Sequence, residues 1–271
     1  MHINSDDITY DLLSKLRNEE VIINHKDEDF YFMFNIKEGY RNLAVHINGA
    51  IDYSKKTPPL YQRSSWAELI EASCIFVDDK TLHNTTDELF NTGWLIGTEK
   101  RHYLKDYSEI IKIIQGAMNI NNSDIYYWGS SAGGTSAIAL ATLHTESTAI
   151  ANNPQTNILT DYPRRRNAIF NNVFSELSEE EVLKHHYHRL TLVGLMKEYN
   201  YVPRTFYIQN RSHKPDIHRH YNEFIKELES TSLNLKNLNF WFYHDADRGH
   251  VPLGQDKTLE NLHTIMNFQY L

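Results

Sequence analysis

Length, composition and net charge set the first limits on this protein. Its 271 residues are 41% hydrophobic, which is enough for a folded α/β domain with a sizeable core. The formal net charge of −8 argues against binding along a nucleic-acid backbone, because that requires an excess of Lys and Arg on one face, so we expect no nucleic-acid partner. The single cysteine, Cys74, excludes an internal disulfide, and the apolar run around it indicates burial.

The N-terminal sequence and the hydropathy pattern indicate a cytoplasmic protein. The first 20 residues contain neither the basic segment nor the apolar segment of a signal peptide. No stretch reaches the roughly 18 apolar residues that a membrane-spanning helix requires. We therefore expect no membrane span.

Short apolar runs rich in β-branched and aromatic residues predict strands along the chain. These runs are residues 20–25, 30–36, 42–49, 73–79, 124–129, 147–153, 204–210 and 238–245. Apolar residues at helical spacing predict helices at 106–120, 133–144, 216–230 and 256–268. Strands and helices alternate from about residue 72 onward. The pattern therefore predicts an α/β fold with a mostly parallel central sheet, helices on both faces and an antiparallel edge formed by the first strands.

The segment 163–199 differs from the rest of the chain. It combines dense charge with about two helices' worth of apolar spacing, and it contains no predicted strand. We predict that it is a helical insertion over one end of the sheet that acts as a lid. No repeat, linker or low-complexity tract divides the chain, so residues 1–271 are predicted to form one domain.

A short motif rich in glycine and serine lies between a predicted strand and a predicted helix. Residues 129–133, Gly-Ser-Ser-Ala-Gly, match G-x-S-x-G, in which the chain turns so sharply that the serine is strained and glycines must flank it. Ser131 is therefore the predicted nucleophile, at a helix N-terminus that favours a developing oxyanion. A phosphate-binding loop is excluded because no lysine lies nearby, whereas an ordinary glycine turn remains the alternative.

A nucleophilic serine needs a base within hydrogen-bond reach, and that base needs an acceptor to orient it. In hydrolases with this motif the order along the chain is serine, acid, histidine. His250 is the predicted base, because it lies in a tight loop between the last strand and the last helix. His244, at the end of that strand, is a competitor.

The acid should follow the strand that precedes the last one. The first acidic residue there is Asp216, which is also placed to cap the helix that begins near Ile217. Asp245 and Asp247 are alternatives close to His250 in the sequence.

Two backbone amides are predicted to bind the oxyanion. One is that of Ala132, which follows the serine. The other comes from the loop after the third predicted strand, where Gly49 permits a turn and Ala50, or alternatively Ile51, provides the amide. An ordinary strand-ending turn is the alternative for this loop.

Two segments rich in histidine could suggest a metal. Neither residues 184–189 nor residues 213–220 have the paired spacing and helical glutamate of a zinc enzyme, so we expect no metal site.

Five further motifs lie between residues 48 and 162: NGAIDY, PPLYQRSSW, VDDKTL, GWLIGT and ANNPQTNILTDY. With the elbow motif, Asp216 and the Arg-Gly-His at 248–250, they resemble bacterial capsular-polysaccharide biosynthesis proteins of the XcbB/CpsF type. They are also similar to α/β-hydrolase-fold capsule O-acetyltransferases of the meningococcal serogroup A type. One departure is Ala132, where the acetyltransferase type has a lysine.

The resemblance implies an α/β-hydrolase fold and a triad of Ser131, Asp216 and His250. For the acetyltransferase type it implies acetyl-CoA as the acyl donor and a sugar hydroxyl as the acceptor, here in a bacterial capsular polysaccharide or its glycan precursor. A homodimer is one assembly that we consider.

Five side chains are predicted to contact the substrate: Asn153, Gln155, Arg63, Trp66 and Arg165. A closed turn is the alternative for the two amides, and a solvated charge run is the alternative for the arginines at 164–166. The aromatic set Trp66, Trp94, Tyr127 and Trp128 is predicted to form a dry or sugar-stacking wall, with core positions as the alternative.

The sequence thus predicts a serine-dependent acyl-transfer enzyme, with O-acetylation of a sugar hydroxyl first. An esterase that removes acyl groups from polysaccharide is the second interpretation, because only the exclusion of water separates the two reactions. A catalytically silent partner of a capsule or secretion assembly is the third, since a fold can persist without its chemistry.

Overall fold

The computed structural model describes residues 1–83, 85 and 87–268 as a sheet covered by helices. Residues 84, 86 and 269–271 of the predicted domain lie outside the described residues. The described strands are β1 (His2–Asn4), β2 (Arg17–His25), β3 (Glu28–Asn35), β4 (Leu43–Ile47), β5 (Ser73–Val77), β6 (Ile125–Ser130), β7 (Thr148–Asn152), β8 (Arg204–Asn210) and β9 (Leu238–Tyr243).

The strand order is β1-β2-β3-β5-β4-β6-β7-β8-β9. Strand β3 runs antiparallel to β2 and β5, and every other neighbouring pair is parallel. The predicted mostly parallel sheet with antiparallel first strands is therefore confirmed. The hairpin turns at Lys26 and Asp27, whose φ values of 51° and 64° suit a two-residue turn. Strand β1, three residues long, pairs parallel to β2 at this edge and was too short to show a pattern in the sequence.

The described helices are α1 (Tyr10–Leu13), α2 (Tyr103–Met118), α3 (Ala132–Leu143), α4 (Pro163–Val173), α5 (Glu179–His185), α6 (Tyr187–Leu190), α7 (Leu192–Tyr199), α8 (Lys214–Asp216), α9 (Asn222–Glu229) and α10 (Gln255–Met266). A π-helical segment, Ile217–Tyr221, joins α8 to α9. Single 3-10 turns occur at Ser5–Asp7, Ser64–Leu69, Lys80–Leu82 and Asn122–Asp124.

Side chains of β6 alternate between the two faces of the sheet, as the period of a strand requires. Tyr127 packs in the cluster that holds α2, α3, α7 and α9, whereas Tyr126 and Trp128 pack in the cluster that holds α10. Helices therefore cover both faces, as predicted. Nearly every residue of α3 is buried, which is typical of a helix enclosed between a sheet and other helices.

The segment 163–199 forms four helices, α4 to α7, where the sequence predicted about two. Ile169, Val182 and Leu190 of the first three helices pack with Ala132 in a cluster beside the start of α3. Helix α7 instead buries Leu192 and other residues in the main core against α3. The last quarter of the predicted insertion therefore belongs to the body of the domain. A lid function for α4 to α6 stays a prediction.

Two expectations from the sequence, about Cys74 and about membrane-spanning helices, can be compared with the structure. Cys74 in β5 is fully buried and free, as predicted. Within the described part of the chain, every helix is too short or too polar to cross a membrane.

Candidate active site

The chain turns sharply between β6 and α3, and Ser131 occupies this turn. Its φ of 55° and ψ of −124° lie in a region that residues with a side chain rarely adopt. A Cβ at Gly129 would lie 2.6 Å from the carbonyl of Gly133, and one at Gly133 would lie 2.2 Å from the carbonyl oxygen of Ile47. Both motif glycines are therefore required by close backbone approach, and the structure has the strained turn that the motif predicts.

The structure brings the three predicted triad residues together. The Nε2 atom of His250 lies 2.9 Å from Oγ of Ser131, and its Nδ1 atom lies 2.7 Å from Oδ2 of Asp216. With the proton on Nδ1, the imidazole donates to the carboxylate and accepts from the hydroxyl. Asp216 is the last residue of α8 and is followed by the π-helical segment, so it does not cap the helix from outside. This arrangement can take a proton from the serine and stabilise the resulting imidazolium.

The carboxylate of Asp216 is almost completely buried and has two imidazole neighbours. Burial by itself would raise its pKa, but the hydrogen bond and charge of His250 and the charge of His213 hold the pKa of Asp216 below its usual value. The acid is therefore ionised at neutral pH. The sequence analysis missed His213, and the available signal was its position three residues before Asp216 on the same turn.

The alternative acids and base lie elsewhere. Asp245 pairs with Arg248, with 3.3 Å between its Oδ2 and the arginine Nε. His244 is exposed, and within the described residues neither it nor Asp247 contacts the triad.

Two polar residues predicted to bind substrate are instead buried. Asn153 donates from Nδ2 to the backbone carbonyl of His250 (3.2 Å) and to the hydroxyl of Tyr243 (3.1 Å). Gln155 is 1% exposed, and its backbone amide donates to the hydroxyl of Thr135 (2.9 Å). Neither side chain has surface that a substrate can reach in this conformation. Burial favours the structural alternative for both, substrate contact stays a prediction, and Asn153 supports the loop that carries the base.

Other side-chain amides hold the same loop. Asn210, at the end of β8, donates from Nδ2 to the carbonyls of Asp245 (2.7 Å) and Gly249 (2.8 Å). The backbone amide of Leu253 donates to Oδ1 of Asn152 (2.7 Å). The loop from residue 244 to residue 254 is thus tied to the carboxyl ends of β7 and β8, which places His250 over Ser131.

Two amides are available as oxyanion donors. That of Ala132 is the first N–H of α3 and has no acceptor within the helix. That of Ala50 has no acceptor among the described residues, and a Cβ at the preceding Gly49 would lie 3.3 Å from the carbonyl of Ser130. The turn therefore lies against the elbow. Ile51 is excluded, because its amide donates to a backbone carbonyl in the loop after β5 (2.8 Å).

Arg63 lies beside the elbow. Its Nη2 donates to Oγ of Ser130 (3.2 Å), and its guanidinium lies over the rings of Trp66 (4.9 Å) and Trp128 (5.7 Å). Burial lowers the pKa of Arg63 to about 10, so the group remains charged at neutral pH. No carboxylate pairs with it in the described part of the chain. This cation next to the nucleophile is available to an anionic group.

The predicted aromatic residues divide between the core and the site. Trp94, Tyr127 and Trp128 are buried in the core clusters. Trp66 is partly exposed and stacks on Trp128 at 6.3 Å between ring centroids. Of these four, Trp66 alone is not buried.

The arginines of α4 are largely neutralised. Nη1 of Arg165 lies 3.4 Å from both carboxylate oxygens of the buried Asp161, and Arg166 pairs with Glu179. This favours the structural alternative for the charge run, and an anion-binding role for Arg165 stays a prediction.

Two groups of described side chains have the ligand types of a metal site. His213, Asp216 and His250 form one, and His25, Asp106 and Glu109 form the other. The first contains the triad. In the second, Arg101 engages Asp106 and Lys26 engages Glu109, so cations of the protein already balance both carboxylates.

Comparisons with solved structures establish the fold. A capsule O-acetyltransferase of Neisseria meningitidis serogroup A is 14% identical, with a TM-score of 0.61 over 90% of this chain and 96% of that chain. An S-formylglutathione hydrolase from Agrobacterium tumefaciens is 13% identical, with a TM-score of 0.58 over 89% of this chain and 87% of that chain. The chain has the α/β-hydrolase fold. In hydrolases of this fold the nucleophile sits on a strand-to-helix elbow, as Ser131 does between β6 and α3.

A variant of the meningococcal enzyme, in complex with CoA, matches 96% of this chain and all of that chain, with 15% identity and a TM-score of 0.63. The sequence matches no protein-family model, and a search of the curated proteins finds no match. At these identities the likeness concerns the α/β-hydrolase fold alone.

Proposed function

We propose that this protein is a serine-dependent acyl-transfer enzyme with Ser131 as its nucleophile. The observation that carries the proposal is the chain of contacts from Asp216 through His250 to Ser131, at 2.7 and 2.9 Å, on a strained elbow. Strain of this kind persists only where the surrounding structure holds it, and it concentrates at functional sites. A buried carboxylate, a half-exposed imidazole and a serine in this order have the geometry of nucleophilic acyl transfer.

The reaction has two steps. His250 takes the proton of Ser131 as its oxygen attacks a thioester or ester carbonyl, and the amides of Ala132 and Ala50 stabilise the oxyanion. The leaving group departs with the proton from His250, and an acyl-serine remains. A second nucleophile then loses a proton to His250, takes the acyl group and releases the serine.

The proposed second nucleophile is a sugar hydroxyl of a bacterial capsular polysaccharide or its glycan precursor, and the proposed donor is acetyl-CoA. Three observations support this choice. The sequence motifs resemble capsule biosynthesis proteins, a similar solved structure is a capsule O-acetyltransferase, and a variant of that enzyme is described in complex with CoA. Trp66 and Arg63 beside the elbow offer a stacking face and a positive charge. The proposal places the reaction in the cytoplasm. It includes a homodimer as one possible assembly of the protein.

Labelling with a fluorophosphonate tests the serine. The wild-type protein is expected to react covalently, Ser131→Ala to lose the label, and the matched control Ser130→Ala, one residue earlier, to keep it. Absence of labelling in the folded wild-type protein would contradict the proposal and favour a catalytically silent partner.

An esterase is the second candidate, favoured by the 30% exposure of the His250 side chain, which leaves water access to the base. Release of CoA from acetyl-CoA, measured with and without capsular polymer, separates the two. A transferase releases CoA faster when polymer is added and forms acetylated polymer. An esterase releases acetate from pre-acetylated polymer and shows no gain in CoA release.

A further inference from the structure

Two imidazoles face one carboxylate oxygen at the triad acid. Oδ2 of Asp216 lies 2.7 Å from Nδ1 of His250 and 3.0 Å from Nδ1 of His213. The contact with His250 is a hydrogen bond, whereas that with His213 lacks the alignment of one and is electrostatic. The two rings lie 5.7 Å apart between centroids. A single buried carboxylate thus has two neighbours that compete for it.

Both histidine side chains are partly exposed. The side chain of His213 is 23% exposed and that of His250 is 30% exposed, while Asp216 is buried beneath them. Among the described residues, the hydrogen bond from His250 is the one that Asp216 accepts through its side chain. The carboxylate is therefore held by imidazoles, and its interaction with the base depends on the charge of His213.

Other charged groups lie next to His213 in the chain and in the adjoining loop. Lys214 follows it in the chain and is exposed. In the loop after β9, which approaches His213 at Gly249, Asp245 and Arg248 balance each other as an ion pair. Asp216, in direct contact with His213, and the neighbouring ring of His250 are the groups through which a proton on His213 would act.

We propose that His213 is a positioning residue that sets the pH range of the triad, by competing for Asp216 when protonated and by placing a positive charge beside His250. This inference rests on the proposed function, because it acts through the triad. Protons on both rings would place two like charges on either side of one carboxylate oxygen, so a positive charge on His213 should disfavour a proton on the base. The proposal therefore expects the acid side of the activity profile to depend on both imidazoles.

Removing His213 should therefore make the enzyme more sensitive to acid. In His213→Asn the midpoint on the acid side of the kcat/KM profile should move up by about 0.5 to 1 pH unit, and the fall should sharpen to that of one proton. The matched control is His244→Asn, which removes a histidine from the same loop region without touching Asp216. Its profile should follow the wild type. An unmoved midpoint in His213→Asn, or a rate lowered equally at every pH, overturns the proposal, since a merely structural role would act at all pH values.

A readout independent of activity separates this inference from the proposed function. Imidazole signals of isotopically labelled protein can be followed by NMR from pH 5 to pH 9. The titration midpoint of His250 should rise in His213→Asn and stay unchanged in His244→Asn; His213→Gln provides a second variant if the first does not fold. An unchanged midpoint overturns the coupling even in an active enzyme. If the midpoint of His250 shifts in His213→Asn but the wild-type protein is not labelled at Ser131, the coupling is supported and the proposed function is contradicted.

Discussion

The nucleophile and the base of the candidate site are held by two different kinds of structure. Ser131 follows β6, a central strand whose first five residues are buried, and its elbow is fixed by backbone approaches that admit only glycine at Gly129 and Gly133. His250 follows β9, a strand at one edge of the described sheet with no buried residue. Its loop is fixed by side-chain amides such as Asn210.

This difference suggests that the elbow matters mainly for stability and the loop that carries His250 mainly for activity. The elbow joins a buried central strand to a buried helix, so a disturbance there should cost folding free energy. The loop is held by several hydrogen bonds from side-chain amides, so a disturbance there should move His250 and cost activity more than stability. Four changes, taken from the largest expected effect to the smallest, test this division.

Ser131→Ala removes the nucleophile and leaves the packing of the elbow in place. We expect acyl transfer to fall by about 10³-fold or more, because the remaining groups cannot form an acyl intermediate. Initial rates measure the loss. Thermal unfolding serves as the control and should show only a small change. A residual rate above a tenth of the wild type would contradict the assignment.

Gly133→Val tests the elbow as a folding element. Its Cβ would meet the carbonyl oxygen of Ile47 at 2.2 Å, so we expect the free energy of unfolding to fall by more than about 3 kcal/mol. The matched control is Gly116→Ala in α2, where an added Cβ meets nothing within 4 Å; it should stabilise the protein by about 0.5 to 1 kcal/mol. Urea denaturation measures both. Equal stability of the two variants would contradict the view that the packing of the elbow is needed for folding.

Asn210→Ala tests the loop. It loses two hydrogen bonds that Nδ2 donates to the carbonyls of Asp245 and Gly249 and two that Oδ1 accepts from the amides of Asp245 and Ser212. We therefore expect kcat/KM to fall by about 10- to 100-fold and stability by about 1 to 3 kcal/mol. Asn239→Ala is the control, because it loses two bonds to backbone carbonyls in β9, away from the site. Both variants should lose stability, Asn210→Ala the more, and only Asn210→Ala should lose activity.

The smallest expected effect concerns acid and the carboxylate that joins the two regions. The folded-state pKa of Asp216 lies below its usual value of 3.8, so its contribution to stability is present above that value and is lost as pH falls through the lower one. The wild type should exceed Asp216→Asn in stability by on the order of 1 kcal/mol at pH 7. Urea denaturation should show this difference shrinking below about pH 4. A difference that does not change with pH would show that the carboxylate charge is not what stabilises the fold.

The contrast between the elbow and the loop also explains which parts of the fold and of the site could be predicted from the sequence. The elbow was predictable because five adjacent residues encode a local backbone constraint that the strand before it and the helix after it confirm. His250 and Asp216 were placed from the order of strands, which the parallel sheet translates into positions at one edge. The long strands and helices were predictable because short apolar runs alternate along the chain with segments whose apolar residues have helical spacing.

The parts that escaped prediction depend on tertiary contacts. Asn153 and Gln155 were expected to face a ligand, but burial of a polar side chain is decided by distant partners such as Tyr243, which no local pattern reveals. His213 was missed because its contact with Asp216 depends on the shape of one turn. Three of the four helices within 163–199, α5 to α7, have only four to eight residues, and such helices carry too few periods to count reliably.

The nucleophile Ser131 and the base His250 of the proposed triad are 119 residues apart in the chain. During synthesis from the N-terminus, the elbow can therefore leave the ribosome long before the imidazole that activates it. A nascent chain that has not yet added β9 to the sheet would carry a serine alcohol of ordinary reactivity. Under the proposed function, the acyl donor would therefore react with Ser131 only slowly until the sheet is nearly finished.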